Sequence, residues 1–295
     1  MAVVERAYAK VNLNLHILGR RSDGYHELDS LVVFARDIFD TIELHPANRI
    51  EVHVAGAFAT EIAGENLIAT AARSLHDADP ALQIGEFYIN KRIPVAAGLG
   101  GGSADAAAAL RALARLNKLA GVETRLADLA TGLGADVPVC LGGGGCEAAF
   151  MRGIGERVER PAAGRLLPAA GVHAVVINPR IPVSTAEIFR RLGAAQLVNP
   201  PRDAAHPQGF DGFEELIAYL SATSNDLQGP ACEMVPAIGD ALAVLEGVDG
   251  CCLSRMSGSG ATCFGIFETV AAAERGRDLL RRAHPDWWVE SSKLT

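Results

Sequence analysis

The sequence lacks the features of a membrane protein and those of a nucleic-acid binder. No stretch approaches the roughly 18 consecutive apolar residues that a membrane-spanning helix needs. Residues 1–10 lack the apolar core of a secretory signal. The net charge is −8, with 27 Lys and Arg against 35 Asp and Glu, whereas binding to a polyanion needs a basic surface. We therefore expect a cytoplasmic protein with no membrane partner and no nucleic-acid partner.

Cysteine is present, but without any metal-binding or redox spacing. The six cysteines form no Cys-x-x-Cys pair, and most lie within apolar or small-residue runs. We expect them to be reduced thiols that pack as small hydrophobic side chains. Hydrophobic residues make up 49% of the chain and charged residues 21%, as in ordinary globular proteins. With 295 residues, the chain is long enough for two domains.

Lysine is scarce, since only four of the 27 basic residues are lysines. One of them, Lys10, belongs to a segment over residues 7–18 in which apolar and polar residues alternate, as in a strand. The polar face carries Asn12 beside the lysine, and asparagine is a poor strand former. Solvent exposure is the ordinary interpretation of such a face. A compact ammonium required at this point of the fold is the other interpretation.

A glycine-rich loop precedes a helix pattern in the first half of the chain. Four glycines occupy five consecutive positions, and a serine and a run of alanines follow them. Glycines let the backbone approach a ligand closely, and alanines favour a helix. A helix start presents unpaired N–H groups and a partial positive charge, which suit a phosphate. The residues concerned are Pro94, Val95, Ala96, Ala97, Gly98, Leu99, Gly100, Gly101, Gly102, Ser103 and Ala104.

The loop is neither a Walker A loop nor a dinucleotide fingerprint. No Gly-Lys-Ser/Thr follows it, and the acidic residue expected about 20 positions later is missing. We expect Ser103 to cap the helix, because serine is a good N-cap. A flexible connector without a ligand is the alternative interpretation of the loop.

Three other segments carry candidate functional residues. The turn 22–24 leads into Tyr25 and His26, and an aromatic beside a histidine can hold a planar ring, although an ordinary surface turn has the same pattern. Asp136 precedes Val-Pro, so it either caps a helix or places a carboxylate beside the phosphate loop. Residues 256–262 are small and glycine-spaced, which suits a close approach to a phosphate or to the first loop, or a plain hairpin turn.

Hydrophobic periodicity and breaker residues predict the remaining elements. Composition changes near residues 152–167, where arginine, glycine, glutamate and proline cluster, and we place a domain boundary at about residue 155. Helices are predicted over 65–78, 104–119, 123–133, 185–192, 212–221, 231–246 and 270–283. Strands are predicted over 25–34, 41–44, 50–54, 82–93, 146–150, 172–177, 250–255, 263–267 and 287–290.

Taken together, the Lys10 strand, the Pro-x-x-x-Gly-Leu-Gly-Gly-Gly-Ser loop and the Ser-Gly-Ser-Gly-Ala segment resemble the GHMP kinase superfamily. The likeness is spread from residue 9 to residue 260. It implies an α+β fold of two domains with the active site between them. Residues 1–155 would form a ribosomal-S5-domain-2-like ATP-binding domain, and residues 156–295 a ferredoxin-like domain.

Within that superfamily, the Lys10 strand and the Asp23–His26 hairpin resemble a narrower group. Its members phosphorylate a hydroxyl of a cytidine diphosphate sugar alcohol in the non-mevalonate route to isoprenoid precursors, with ATP and Mg²⁺. The resemblance makes Lys10 and Asp136 catalytic and assigns ATP to residues 94–104. It places Asn12 near the sugar alcohol, Tyr25 and His26 at the cytosine, and magnesium with ATP, but it names no metal ligand.

Two other functions remain open at this point. One is another small-molecule GHMP kinase, acting on homoserine or mevalonate, which would not need a cytosine-reading hairpin. The other is a non-catalytic nucleotide-binding sensor, which would not need a proton acceptor such as Asp136. The loop 194–212 matches no family motif that we identify, so the sequence does not define the rim of the substrate site.

Overall fold

The computed structural model describes residues 1–62, 64–119, 123–142, 144, 146–161, 165–198 and 205–295. The chain folds into two compact units that do not follow sequence order. Unit 1 comprises residues 1–10, 38–95 and 100–147, and unit 2 comprises residues 11–37, 96–99 and 148–295. The proposed division of the sequence into family domains near residue 155 stays a prediction.

Runs of mostly antiparallel strands and runs of helices make up the chain, which confirms the predicted α+β class. The strands are β1 (Val3–Asn12), β2 (His16–Arg20), β3 (His26–Ala47), β4 (Glu51–Ala55), β5 (Ile84–Asn90), β6 (Ala149–Gly153), β7 (Arg157–Glu159), β8 (Val172–Asn178), β9 (Cys251–Met256), β10 (Cys263–Phe267) and β11 (Trp288–Leu294). The helices are α1 (Leu67–Ala78), α2 (Gly101–Leu116), α3 (Glu123–Leu133), α4 (Val137–Leu141), α5 (Thr185–Leu192), α6 (Phe213–Ser221), α7 (Gln228–Met234), α8 (Pro236–Glu246) and α9 (Val270–Ala283).

Unit 1 packs a small sheet against helices. β5 pairs in parallel with β4 and antiparallel with the second half of β3, in a register from Thr41↔Asn90 to Ala47↔Ile84. The alanines 106–109 of α2 are fully buried, and α2 packs on α1 and α4. Small side chains let these helices approach one another closely, which brings the start of α2 next to the start of α4.

Unit 2 is built on antiparallel pairing. β8 lies between β11 and β10, β9 adds to β10, and the first half of β3 pairs with β2, β6 and β11. Helices α8 and α9 pack on these strands, and Val175, Ile177, Leu245 and Phe267 form part of the buried core. The core fixes the strand ends from which the turn 257–262 projects between β9 and β10.

Most predicted elements are confirmed, and four details are wrong. The helix predicted over 231–246 is two helices, α7 and α8, which are separated at Val235. Ser103 does not cap α2, because the helix begins at Gly101 and its N-cap is Gly100, with φ +62°. The predicted strand 7–18 is interrupted after Asn12, where the Asn14 side chain accepts the Leu31 N–H at 2.5 Å. The strands predicted over 25–34 and 41–44 are one long strand, β3.

The described part of the chain contains no helix that is both long and apolar enough to cross a membrane. Of the loop 194–212, residues 199–204 lie outside the described residues.

Candidate active site

Lys10 and Asp136 meet in unit 1. Lys10 lies near the end of β1, and Asp136 is the N-cap residue of α4. The Lys10 Nζ is 3.0 Å from the Asp136 Oδ2, with the lysine side chain 5% exposed and the aspartate side chain 33% exposed. The Asp136 carboxylate makes no capping hydrogen bond to α4. Asp136 therefore does not act as a capping side chain. Of its two interpretations, the structure supports a carboxylate that is held next to a lysine.

The start of α2 lies against this pair. Gly100 has φ +62°, a conformation that glycine adopts without strain. A Cβ on Gly100 would lie 3.1 Å from the Lys10 Cε and 3.5 Å from the Asp136 Oδ2. The first intrahelical bond runs from the Ala104 N–H to the Gly100 carbonyl at 2.9 Å. The N–H groups before Ala104 are therefore available to an anion, next to an ammonium and a carboxylate.

The glycine-rich loop is divided between the two units. Residues 94–95 and 100–104 belong to unit 1, and residues 96–99 belong to unit 2. Within unit 2, the Ser257 hydroxyl donates to the Gly98 carbonyl at 2.9 Å, and the Thr262 N–H donates to the Ala97 carbonyl at 3.3 Å. Gly98 has φ +76°, and a Cβ there would collide with the Ser257 carbonyl. The expected close approach of the turn 257–262 to the first loop is confirmed.

Asn12 and Asn225 shape the same region of unit 2. The Asn12 side chain is buried and donates to the Ser30 hydroxyl at 2.8 Å, while its backbone N–H donates to the Ser257 hydroxyl at 3.1 Å. The Asn225 amide donates to the Met256 carbonyl at 2.7 Å and to the Gly258 carbonyl at 2.8 Å. Asn225 could not be identified from the sequence, because a lone asparagine in a loop gives no sign of its distant partners.

Tyr25 and His26 line a cavity of about 730 Å³ in unit 2. The cavity also contacts Phe189 of α5, whose ring centroid lies 4.6 Å from that of His26 at an interplanar angle of 33°. The Asp23 carboxylate accepts the Tyr25 N–H at 3.1 Å and so fixes the turn before the two residues. Burial and the positive charge of Arg20 lower the pKa of His26. A neutral imidazole offers one donor and one acceptor, which suits the polar edge of a base.

Phe189, like Asn225, is a residue of the site that could not be identified from the sequence. It lies in a short amphipathic helix, where an aromatic residue ordinarily belongs to the core. No spacing in the sequence relates it to His26, since the contact joins α5 to the start of β3. Only the fold identifies Phe189 as one side of an aromatic cavity.

Two family models match the chain in order. The N-terminal domain of GHMP kinases matches residues 66–144, and the C-terminal domain of GHMP kinases matches residues 203–286. Both matches agree with the resemblance seen in the sequence. The chain belongs to the GHMP kinases.

Whole-chain relatives define a narrower family. A protein of Rhodopseudomonas palustris (strain BisA53) is 44% identical over 309 aligned residues, covering 100% of this chain and 98% of the relative. One of Methylorubrum extorquens is 46% identical over 295 residues, covering 98% of each chain. Both are named 4-diphosphocytidyl-2-C-methyl-D-erythritol kinase. Within the GHMP kinases, this chain therefore belongs with the 4-diphosphocytidyl-2-C-methyl-D-erythritol kinases.

A solved structure supports the same family. The crystal structure of a 4-(cytidine 5'-diphospho)-2C-methyl-D-erythritol kinase is 34% identical to this chain, with a TM-score of 0.73. The match covers 99% of this chain and 98% of that one. It confirms the two-domain GHMP kinase fold expected from the sequence. These relatives favour the cytidine-type kinase over the homoserine and mevalonate types.

Proposed function

We propose that this chain transfers the γ-phosphoryl group of ATP to the 2-hydroxyl of 4-diphosphocytidyl-2-C-methyl-D-erythritol, in the non-mevalonate route to isoprenoid precursors. Whole-length identity of 44% and 46% to kinases of that name carries the proposal. The Lys10–Asp136 pair at the start of α2 supports it, because a kinase uses a proton acceptor such as Asp136, whereas a nucleotide-binding sensor does not need one.

The chemistry assigned to unit 1 is one displacement at phosphorus. The substrate hydroxyl oxygen forms a bond to the γ-phosphorus, and the bond from that phosphorus to the β–γ bridging oxygen breaks, releasing ADP. The hydroxyl proton passes to the Asp136 carboxylate. Lys10 orients the hydroxyl and offsets the negative charge that develops on the transferred group. Both side chains are held in place before substrate binds, which lowers the cost of orientation.

The N–H groups at the start of α2 are assigned to the phosphates of ATP. The glycines of the loop let the backbone approach those phosphates, since no Cβ projects from it. The assignment of residues 94–104 to ATP remains a proposal. The hydrogen bonds from Ser257 and Thr262 to Gly98 and Ala97 support it, because they fix the backbone of the loop.

The cavity at His26 is assigned to the cytosine ring. Phe189 provides an apolar face for stacking, and the neutral imidazole of His26 provides hydrogen bonds to the ring edge. Tyr25 is 61% exposed, so its ring is accessible to a planar ligand. Asn12 is two residues from Lys10 along the chain, which is compatible with the expected role near the sugar alcohol.

Magnesium is the cation assigned to ATP, and it would neutralise charge on the β- and γ-phosphates when bound. The described residues offer no group of three or more His, Cys, Asp or Glu side chains that could hold a metal. The donors near the phosphate site are few and oxygen-based, which suits Mg²⁺ bound chiefly through phosphates. Asp136, beside the start of α2, is the carboxylate that would contact the cation there.

We also assign the protein to the cytoplasm. All six cysteines lie within the described residues and none forms a disulfide, which supports a reducing compartment. A small-molecule substrate in the same compartment is consistent with that assignment.

The test of the proposed function is a coupled assay of ADP release with the purified protein, ATP and Mg²⁺. Three acceptors are compared at equal concentration: the cytidine diphosphate sugar alcohol, homoserine and mevalonate. We expect acceptor-dependent ADP release with the cytidine compound alone. Equal or faster ADP release with homoserine or mevalonate would overturn the proposed substrate. ATP binding without turnover of any of the three acceptors would favour a non-catalytic nucleotide-binding sensor.

A further inference from the structure

A buried group of three charged residues lies beneath the start of α2. The Lys91 Nζ is 2.6 Å from the Asp40 Oδ2 and 2.6 Å from the Asp105 Oδ2. Their side chains are 3%, 0% and 7% exposed for Lys91, Asp40 and Asp105, respectively. We call these three residues the Lys91 triad. All of them belong to unit 1.

The Lys91 triad contacts the chain on both sides of the glycine loop. Lys91 directly follows β5, and the Asp40 Oδ1 accepts the N–H groups of Arg92 at 2.5 Å and Ile93 at 2.9 Å. These bonds fix the backbone that enters the loop at Pro94. Asp105 lies in α2, which leaves the loop at Gly101. The lysine thus links the segment before the loop to the helix after it.

The packing at Gly101 shows how tight this link is. A Cβ on Gly101 would lie 3.2 Å from the Lys91 Nζ and 3.2 Å from the Ile93 Cγ2. These distances are shorter than most carbon contacts, so the ammonium lies directly under the first residue of α2. Movement of Lys91 would therefore be transmitted to the N–H groups at the helix start.

A stability role alone is a poor explanation for the triad. An amine and two carboxyl groups are removed from water there, and apolar residues of similar volume often stabilise a fold as well or better. The Asp105 Oδ1 is also buried without a hydrogen-bond partner among the described residues, which adds a further penalty. In some proteins, buried ionic groups fix one geometry over close alternatives.

We propose that Lys91, Asp40 and Asp105 are positioning residues for ATP, which hold the two ends of the glycine loop at the spacing that phosphate binding requires. The inference rests on the proposed function only in naming ATP as the ligand. The triad acts through the backbone of residues 92–93 and the start of α2, and none of its side chains is assigned a contact with the nucleotide.

Truncation of Asp105 tests the link. In Asp105→Ala, the Lys91–Asp40 pair remains neutral overall and alanine suits a helix, so we expect a folded protein without the bond from Lys91 to α2. Loss of one charged hydrogen bond predicts a KM for ATP raised on the order of tenfold, with the KM for the cytidine substrate within about twofold. Asp105→Asn keeps an acceptor for Lys91, and we expect it to recover most of the ATP affinity.

Leu75→Ala is the control for stability, because Leu75 is buried in α1 of the same unit and far along the chain from the loop. We expect it to lower the Tm without raising the KM for ATP. Calorimetric titration with a non-hydrolysable ATP analogue and hydrogen exchange of residues 94–104 provide readouts that need no turnover. Faster exchange in Asp105→Ala, restored in Asp105→Asn, is the expected pattern.

Asp105→Ala with a wild-type KM for ATP and wild-type exchange would overturn the inference, as would an equal rise in the KM values of both substrates. If Asp105→Ala does not fold, Asp105→Ser is the second truncation, judged by the same criteria. Failure of the proposed function is a distinct result: the wild-type protein would bind the ATP analogue but show no kinase activity, and the binding and exchange data would still decide the role of the triad.

Discussion

Lys10 and Asp136 lie 3.0 Å apart, although they are distant in the sequence and come from a strand and from the first residue before a helix. The start of α2 lies directly beside them, with Gly100 as its N-cap. An ammonium, a carboxylate and a set of helix N–H groups are thereby brought together within unit 1. This is the combination that phosphoryl transfer to a hydroxyl needs.

Asp136→Asn should abolish most turnover without removing ATP binding. The substitution keeps the shape of the side chain but removes the proton acceptor, so we expect kcat to fall on the order of 10²-fold or more. The KM for ATP should change little. Steady-state ADP release and calorimetric titration measure the two effects. Asp77→Asn, on the exposed face of α1, is the control and should keep wild-type kcat. A wild-type kcat in Asp136→Asn would remove Asp136 from the mechanism.

Gly100→Ala and Gly102→Ala should differ sharply in stability. Gly100 has φ +62° and its Cβ would lie 3.1 Å from the Lys10 Cε, so alanine there combines backbone strain with crowding. We expect a loss of about 1–2 kcal/mol and a lower Tm. At Gly102, where an added Cβ meets nothing within 4 Å, alanine should raise the Tm because it favours the helix. Thermal unfolding followed by circular dichroism measures both, and equal Tm changes would contradict the left-handed cap.

Phe189→Ala should weaken binding of the cytidine substrate and leave ATP binding unchanged. Stacking of a base on an aromatic ring contributes about 1–3 kcal/mol, which corresponds to a rise in KM of roughly 5- to 150-fold. His26→Ala should act in the same direction, since it removes the hydrogen-bonding edge of the cavity. Initial rates with each substrate varied in turn measure the two KM values. A parallel rise in the KM for ATP would argue against a cytosine site at this cavity.

The neutral state of His26 should extend to lower pH than that of an ordinary histidine. Burial and Arg20 lower its pKa, so His26 takes up a proton only below the usual range near 6.5. We expect the KM for the cytidine substrate to stay constant from pH 8 to about pH 6.5. Any change in KM that also occurs in His26→Gln, which has no ionisable group at this position, is not due to His26. Arg20→Gln should move the protonation of His26 to higher pH, as measured by NMR titration of the imidazole. An unchanged or lower value in Arg20→Gln would contradict the electrostatic contribution of Arg20.

Much of this fold could be predicted from the sequence, because local patterns decide it. The spacing of apolar residues predicts α3, α5 and α9 within about a residue of their bounds. The glycine loop predicts that a helix follows it, but α2 begins at Gly101, three residues before the predicted start. The helix cap was misjudged because the left-handed conformation of Gly100 starts the helix before Ser103 can cap it. Long-range partners could not be predicted. Phe189 beside His26 and Asp40 beside Lys91 depend on how strands and helices pack, which no local spacing encodes.

The division of the chain into two units could not be predicted from the sequence either. The chain passes from one unit to the other at residues 10–11, 37–38, 95–96, 99–100 and 147–148, so neither unit is a continuous segment. β3 contributes to both because it is one uninterrupted strand, whereas the sequence shows two apolar stretches separated by charged residues. A boundary inferred from composition finds a change of amino-acid usage, and it carries no information about strands shared between units.

Asp105 should make the stability of the protein depend on pH in a defined direction. Burial, together with the negative charge of Asp40, raises the pKa of Asp105 to about 8, against the opposing effect of Lys91. In the unfolded chain the same carboxyl titrates near 3.8. Between these values the folded protein holds a proton that the unfolded chain has released, so the free energy of unfolding decreases as pH rises from about 4 to about 8.

Asp105→Asn removes this titration and so isolates it. We expect the variant to gain stability relative to wild type as pH rises from 5 to 8, because it lacks the carboxyl whose ionisation destabilises the folded protein, and groups outside the triad cancel in the comparison. Urea denaturation of both proteins at pH 5, 6, 7 and 8 measures the difference, with Asp77→Asn as a control that should follow wild type at every pH. A stability difference between the two proteins that stays constant from pH 5 to 8 would mean that the pKa of Asp105 is not raised and that its carboxyl is ionised in the folded protein. The buried lysine would then hold two carboxylates in their charged state, because a carboxyl that is ionised in both the folded and the unfolded chain gives no slope over this range.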